Sequence, residues 1–251
     1  MHITTEGIVL RQNKTASGRR MIVIFTKDHG RISAGSNLNE RGKGRSALAL
    51  RPFTYAEYEL YKGRESYNVN GAGVIRSYYS IGEDLDRFLA ASTVIRYLDK
   101  TLEEEQSKPA LFRLTLDFLD VISKTDKNYE TILCAYIAKT LPMHGIMPEL
   151  RHCVNCGKER EAFRIRPAFS IENGGILCED CVDKYKTNGV PLILVPEFDI
   201  VEVLQYLTRQ PLSSFTKLAL RPGISGSVRQ FLDQYLEHYL GIRLEIGRSH
   251  V

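Results

Sequence analysis

The sequence predicts an α+β protein of several domains: a small N-terminal β-barrel, a mainly helical remainder, and a cysteine-built module inserted into that remainder. Three observations predict it. Apolar side chains alternate with a period of two through residues 1–80, the period becomes helical past Gly82, and four cysteines fall as two Cys-x-x-Cys pairs among the helical stretches.

In the barrel, Ile8 and Leu10, Ile22 and Ile24, and Ile32 and Ala34 place alternate side chains on one face, and Ala56, Tyr58 and Leu60 repeat the pattern with Glu57 and Glu59 opposite. Turn residues separate the runs at Ser17-Gly18, Asp28-His29-Gly30 and Lys62-Gly63. Gly71 and Gly73 interrupt a further strand over 68–76, where glycine permits the bend of a closed sheet. Five short strands in this length fit an OB-fold barrel spanning 1–80.

A helical region follows over 81–148. Leu85, Phe88, Leu89, Ser92, Ile95, Leu98 and Leu102 form one stripe; Pro109 opens a second helix with Leu111, Leu114, Phe118 and Ile122; Leu133, Ile137 and Leu141 mark a third, stopped by Pro142. The cysteine module occupies 149–190. C-terminal helices over 191–251 carry Phe198, Val201, Leu204 and Leu207, then Val228, Phe231, Tyr235 and Tyr239, with Ser225 or Ser227 as the expected N-cap of the last. They are expected to pack on the helical region.

With 43% hydrophobic and 25% charged residues in 251, the chain has the composition of a globular protein. No segment reaches the ~18 apolar residues of a bilayer span, and the opening MHITTEGIVLRQ has no apolar signal core. The expected location is cytoplasmic. The net charge of +4 averages unlike parts: residues 1–80 hold 13 Lys plus Arg against 6 Asp plus Glu, whereas residues 81–150 hold 8 against 12. Such concentration of cations suits a phosphate-facing surface, and equally a solubilising one.

Cys153-Val-Asn-Cys156-Gly and Cys178-Glu-Asp-Cys181 are spaced to bring four thiolates around one structural zinc ion. Gly157 suits such a knuckle because glycine accepts positive φ. Two disulfides, a redox Cys-x-x-Cys, or an open site with His152 as a competing ligand are the rival readings. The intervening segment EAFRIRPAFSIENGGIL reads as a hairpin turning at Asn173-Gly174-Gly175, and Cys134 as a small core residue.

Candidate nucleic-acid backbone contacts are Lys14, Arg19 and Arg20 at the first hairpin turn, Lys27 and Arg31 at the second, and Arg41, Lys43, Arg45 and Arg51 in the segment NERGKGRSALALRP. Tyr55, Tyr58, Tyr61 and Tyr67 offer either stacking faces or core. No catalytic residue is expected: GxxxxGK[ST], GxSxG and HExxH are all missing from the sequence.

The opening TTEGIVLR, the block IVIFTKDHGRISA, the stretch LRPFTYAEYELYKGR and the late cysteine pairs resemble the bacterial RecO family of recombination mediators along essentially the whole chain. The resemblance implies an OB-fold, a helical region and a zinc module. It also implies binding to single- and double-stranded DNA, strand annealing, and partnership with RecR and single-strand-binding protein in loading RecA. Gly18-Arg19-Arg20 departs from the acidic residue that members often carry there. The competing expectations are a zinc-containing transcriptional or RNA-binding regulator and, third, a nucleic-acid transferase.

Overall fold

A computed structural model describes residues 1–14, 20–36, 45–64, 66–187 and 193–244. The chain divides into two compact units, the first running from Met1 to Tyr129 and the second starting at Glu130.

The first unit is built on a closed five-stranded, OB-like barrel in the order β1-β2-β3-β5-β4: β1 (His2–Lys14), β2 (Arg20–Thr26), β3 (Gly30–Ser36), β4 (Thr54–Lys62) and β5 (Tyr67–Ser77). All pairings are antiparallel except β3 with β5. The short helix α1 (Arg45–Ala49) precedes β4. Val9, Ile22, Ile24, Ile32, Ala34, Ala56, Tyr58 and Leu60 fill the barrel, and the Tyr58 hydroxyl satisfies itself by donating to the Ala49 carbonyl at 2.6 Å.

Register slips beside the two glycines of β5: Asn70 is the extra residue next to the Glu59–Gly71 pair, and Ile75 the extra residue beyond Val74. Such bulges sharpen the coil that closes a small barrel.

α2 (Leu85–Thr101) and α3 (Pro109–Ile122) belong to the same unit, so the compact body extends past residue 80, where the strand period ends. They cover the outside of β1 and β2, with Phe25 edge-on to Phe112 at 5.2 Å. Both strands are therefore apolar on both faces, which blurs the alternation at Ile8, Val9 and Leu10.

The buried face of α2 differs from the expected stripe: Ala90, Ala91, Val94, Ile95, Tyr97 and Leu98 are buried, while Leu85, Phe88 and Leu89 are exposed. Small alanines allow close approach to the barrel, and a large-residue stripe does not reveal that.

The second unit contains α4 (Tyr129–Thr140), the cysteine module with strands β6 (Ala168–Ser170), β7 (Gly175–Leu177) and β8 (Ile193–Leu194), and helices α5 (Glu179–Thr187), α6 (Ile200–Arg209) and α7 (Pro222–Leu240). α4 is apolar all round and buried from Thr131 to Ala138, with Cys134 1% exposed.

α7 starts a turn before either expected serine, because Pro222 presets the first helical φ and Arg221 takes the cap position. Ser225 instead lies buried inside the helix and donates to Glu130 Oε2 at 2.7 Å, joining α7 to α4. Asp199 caps α6 by accepting from the Val201 and Glu202 amides.

Candidate metal centre and nucleic-acid interface

The first cysteine knuckle is a turn closed by the Gly157 amide, which donates to the Cys153 carbonyl at 2.9 Å with Gly157 at φ +74°. The second sits where β7 runs into α5, and the Cys178 carbonyl accepts from the amides of Cys181 and Val182. The four Sγ atoms of Cys153, Cys156, Cys178 and Cys181 lie within 4.8 Å of one another, with Cys156 and Cys178 at 3.7 Å. Four sulfurs held at about 2.3 Å from a tetrahedral ion stand about 3.8 Å apart, so the arrangement fits a zinc–thiolate centre.

Amide donors already favour sulfur charge: Cys178 N–H reaches Cys153 Sγ at 3.4 Å and Asn155 Nδ2 reaches Cys181 Sγ at 3.1 Å. Burial opposes ionisation of Cys153, yet the donors around it prevail and bring its pKa to about 7. Burial pushes Cys178 above the ordinary thiol value and Cys181 up to about 12. A cluster that resists holding four thiolates by itself is one that a dication completes. His152 is half exposed beside Glu149 and lies outside the cluster.

Charges lock the two knuckles together. Lys158 and Arg164, from the chain leaving the first, both reach Glu179 at 2.8 Å, and Arg164 also reaches Asp180 at 2.6 Å. These cations hold the Glu179 carboxyl down at about 2. The two acids lie in the first turn of α5, where the helix dipole favours negative charge.

The hairpin forms as expected, with Gly174 at φ +66° in its turn. Gly175 answers a different need: a Cβ there would lie 2.4 Å from Val154 and 2.7 Å from the Glu149 carbonyl, because the first knuckle packs directly on the hairpin. Phe169 of β6 then stacks edge-on against Phe231 of α7 at 4.7 Å, and the Tyr239 hydroxyl donates to Glu172. The hairpin thereby links the first cysteine knuckle to the last helix.

The barrel cations divide by their partners. Lys14 and Arg20 are register partners at the turn end of the β1–β2 ladder. Lys27 pairs with Glu6 at 3.2 Å, and Arg31, its side chain only 16% exposed, pairs with Asp99 at 3.3 Å and Glu104 at 2.8 Å. Arg51 is exposed beside Arg11 and Gln12, along a shallow depression. Arg45 opens α1; Arg19, Arg41 and Lys43 lie outside the described residues. Tyr58 is core, Tyr55 donates to Glu6, Tyr67 is buried in the barrel wall, and Tyr61 is exposed with its ring 5.2 Å from His2.

Sequence reading missed the groove of about 440 Å³ between β3 and the β4–β5 turn, lined by Met21, Arg31, Ser33, Lys62, Arg64 and Tyr67. The Lys62 ammonium lies 5.0 Å from the Tyr67 ring centre, and Glu105 raises its pKa further. In barrels of this type the face of strands 2 and 3 with the β4–β5 loop receives oligonucleotides. Lys62 and Arg64 were legible only as turn residues, since nothing in their spacing pairs them with Arg31.

The family model described as Recombination protein O N terminal matches residues 1–78, and that described as Recombination protein O C terminal matches residues 82–245. The chain is 31% identical over 243 residues to the DNA repair protein RecO of Alkaliphilus metalliredigens, covering 96% of this chain and 94% of that protein. It is 29% identical over 245 residues to the protein of that name from Bacillus pumilus, with 98% and 92% covered, and 27% identical over 244 residues to that from Bacillus subtilis, with 97% and 91% covered.

Proposed function

The chain belongs to the recombination protein O family, whose relatives are DNA repair proteins, and on that premise we propose that it is a strand-annealing recombination mediator. The barrel is an OB-fold that binds single- and double-stranded DNA through the β3 groove and through the cations that the sequence concentrates in residues 14–51. The four cysteines hold one structural zinc ion. The partners are RecR and single-strand-binding protein, and the outcome is loading of RecA onto coated DNA in the cytoplasm, at the nucleoid.

The observation that carries the reading is the groove on the barrel face, lined by Arg31, Lys62 and Arg64 beside Tyr67, with Glu104 and Glu105 paired to two of these cations. Annealing needs no catalytic residue. Two phosphate backbones repel; a surface that neutralises both lowers the barrier to their meeting and leaves base pairing to supply specificity. We assign no catalytic role to any side chain.

The test is fluorescence anisotropy of a labelled single strand titrated with wild-type protein and with a charge-reversed set at Lys43, Arg45 and Arg51. Wild-type affinity should fall steeply with salt, and the variant should bind at least tenfold more weakly at moderate salt while keeping its circular dichroism. Unchanged binding in that variant refutes the assignment of the basic loop.

A further inference from the structure

Glu103-Glu104-Glu105 is a run of three consecutive acidic residues. In the structure it is docked. After Leu102 ends α2, the chain turns back over the β2–β3 hairpin: the Glu105 amide donates to the Arg31 carbonyl at 3.1 Å, and Ser107 Oγ donates to the Lys27 carbonyl at 3.1 Å. Glu104 lies alongside Arg31 as a parallel bridge. The contact is so close that a Cβ on Gly30 would sit 2.0 Å from the Gln106 carbonyl oxygen.

The carboxylates occupy the cations of the groove. Glu104 Oε1 lies 2.8 Å from Arg31 Nη1, both Glu105 oxygens lie 2.8 Å from Lys62 Nζ, and Glu105 Oε1 accepts from the Tyr67 hydroxyl at 3.0 Å. Glu105 makes these contacts from φ +56°, a backbone region that residues bearing a Cβ seldom enter. A strained residue persists where its surroundings over-determine it, and such residues gather at ligand clamps and switches.

We propose that residues 103–106 form an acidic strap that stands in for phosphate in the barrel groove, so that nucleic acid binds by displacing Glu104 and Glu105 from Arg31 and Lys62. The inference rests on the DNA-binding reading of the barrel. Two carboxylates on consecutive residues, each set on its own cation, resemble two successive phosphates in charge and in the donors they take. A strand with many phosphates displaces them and a lone anion does not, so the strap favours long strands over mononucleotides. It also returns to its cations when a strand leaves, which assists release of annealed product.

The experiment uses the full chain and a fluorescein-labelled oligothymidylate, read by anisotropy at moderate salt. Glu104→Gln/Glu105→Gln should bind about fivefold to tenfold more tightly than wild type, the size expected for releasing two exposed ion pairs. Glu57→Gln/Glu59→Gln removes the same charge from exposed positions of β4 and should change affinity by less than about twofold.

Equal tightening in both variants overturns the strap, because general charge then explains the effect. Unchanged or weaker binding in the strap variant overturns it too, since the glutamates would then only hold Arg31 and Lys62 in place. Glu104→Gln alone gives the same readout if the double variant folds poorly. Absence of binding by wild-type protein condemns the DNA-binding reading itself, which separates the two failures.

Discussion

Replacing Gly30 with alanine should cost about 3 kcal/mol of stability in the barrel unit. The added Cβ would stand 2.0 Å from the Gln106 oxygen and 2.5 Å from its carbonyl carbon, whereas ordinary contact begins at 3.4 Å, so the strap backbone must retreat by about 1.4 Å. That retreat breaks the 3.1 Å bond from the Glu105 amide to the Arg31 carbonyl, worth about 1 kcal/mol. Holding alanine at φ +66° adds about 1–2 kcal/mol. The exposed pairs of Glu104 with Arg31 and Glu105 with Lys62 loosen for up to about 1 kcal/mol together. Urea unfolding followed by far-ultraviolet circular dichroism measures the loss. Gly73→Ala is the control: its Cβ meets nothing within 4 Å, and it should cost under about 1 kcal/mol. A Gly30→Ala protein within 0.5 kcal/mol of wild type, roughly the error of the measurement, refutes the close strap contact.

Metal affinity should be strongly pH-dependent. Burial raises the Cys178 and Cys181 thiols, so at pH 7 both carry protons that a metal must expel, and Cys153 adds a third as pH falls below about 7; competition with a chelator should show affinity falling by at least about 100-fold per pH unit on acidification. A flat profile between pH 6 and 8 contradicts a thiolate centre. Gly175→Val should push the first knuckle off the hairpin at a cost of about 1–3 kcal/mol and speed metal loss to a chelator; an unchanged release rate argues against that packing. Phe169→Ala removes the ring packed edge-on against the stacked Phe231 and Tyr235 and should destabilise the second unit by about 3–5 kcal/mol in thermal unfolding, with a shift of only a degree or two marking the hairpin as loosely attached.

The barrel strands and the cysteine centre were legible because their signals are local. Alternation at Ile22, Ile24, Ile32 and Ala34 needs only neighbours along the chain, and a Cys-x-x-Cys turn carries its own geometry. The face of α2 was not, because partners choose it: the helix buries Ala90, Ala91 and Val94, while Leu85, Phe88 and Leu89 stay exposed. The start of α7 was missed because two serines resemble caps, yet Pro222 sets the turn before them. The groove and its strap were invisible for the same reason as most long-range electrostatics. Arg31 meets Asp99 and Glu104 across about 70 residues, and Lys62 meets Glu105 across 43; no spacing rule spans those distances. Arg31 therefore read as an open phosphate contact, whereas the structure places it in an ion-pair cluster.

The most direct test of the account is the annealing rate of two complementary, dye-labelled strands coated with single-strand-binding protein, followed by energy transfer with and without the purified protein. The account predicts acceleration without ATP, for any sequence, that disappears as salt rises. No acceleration, or acceleration confined to one sequence, contradicts it.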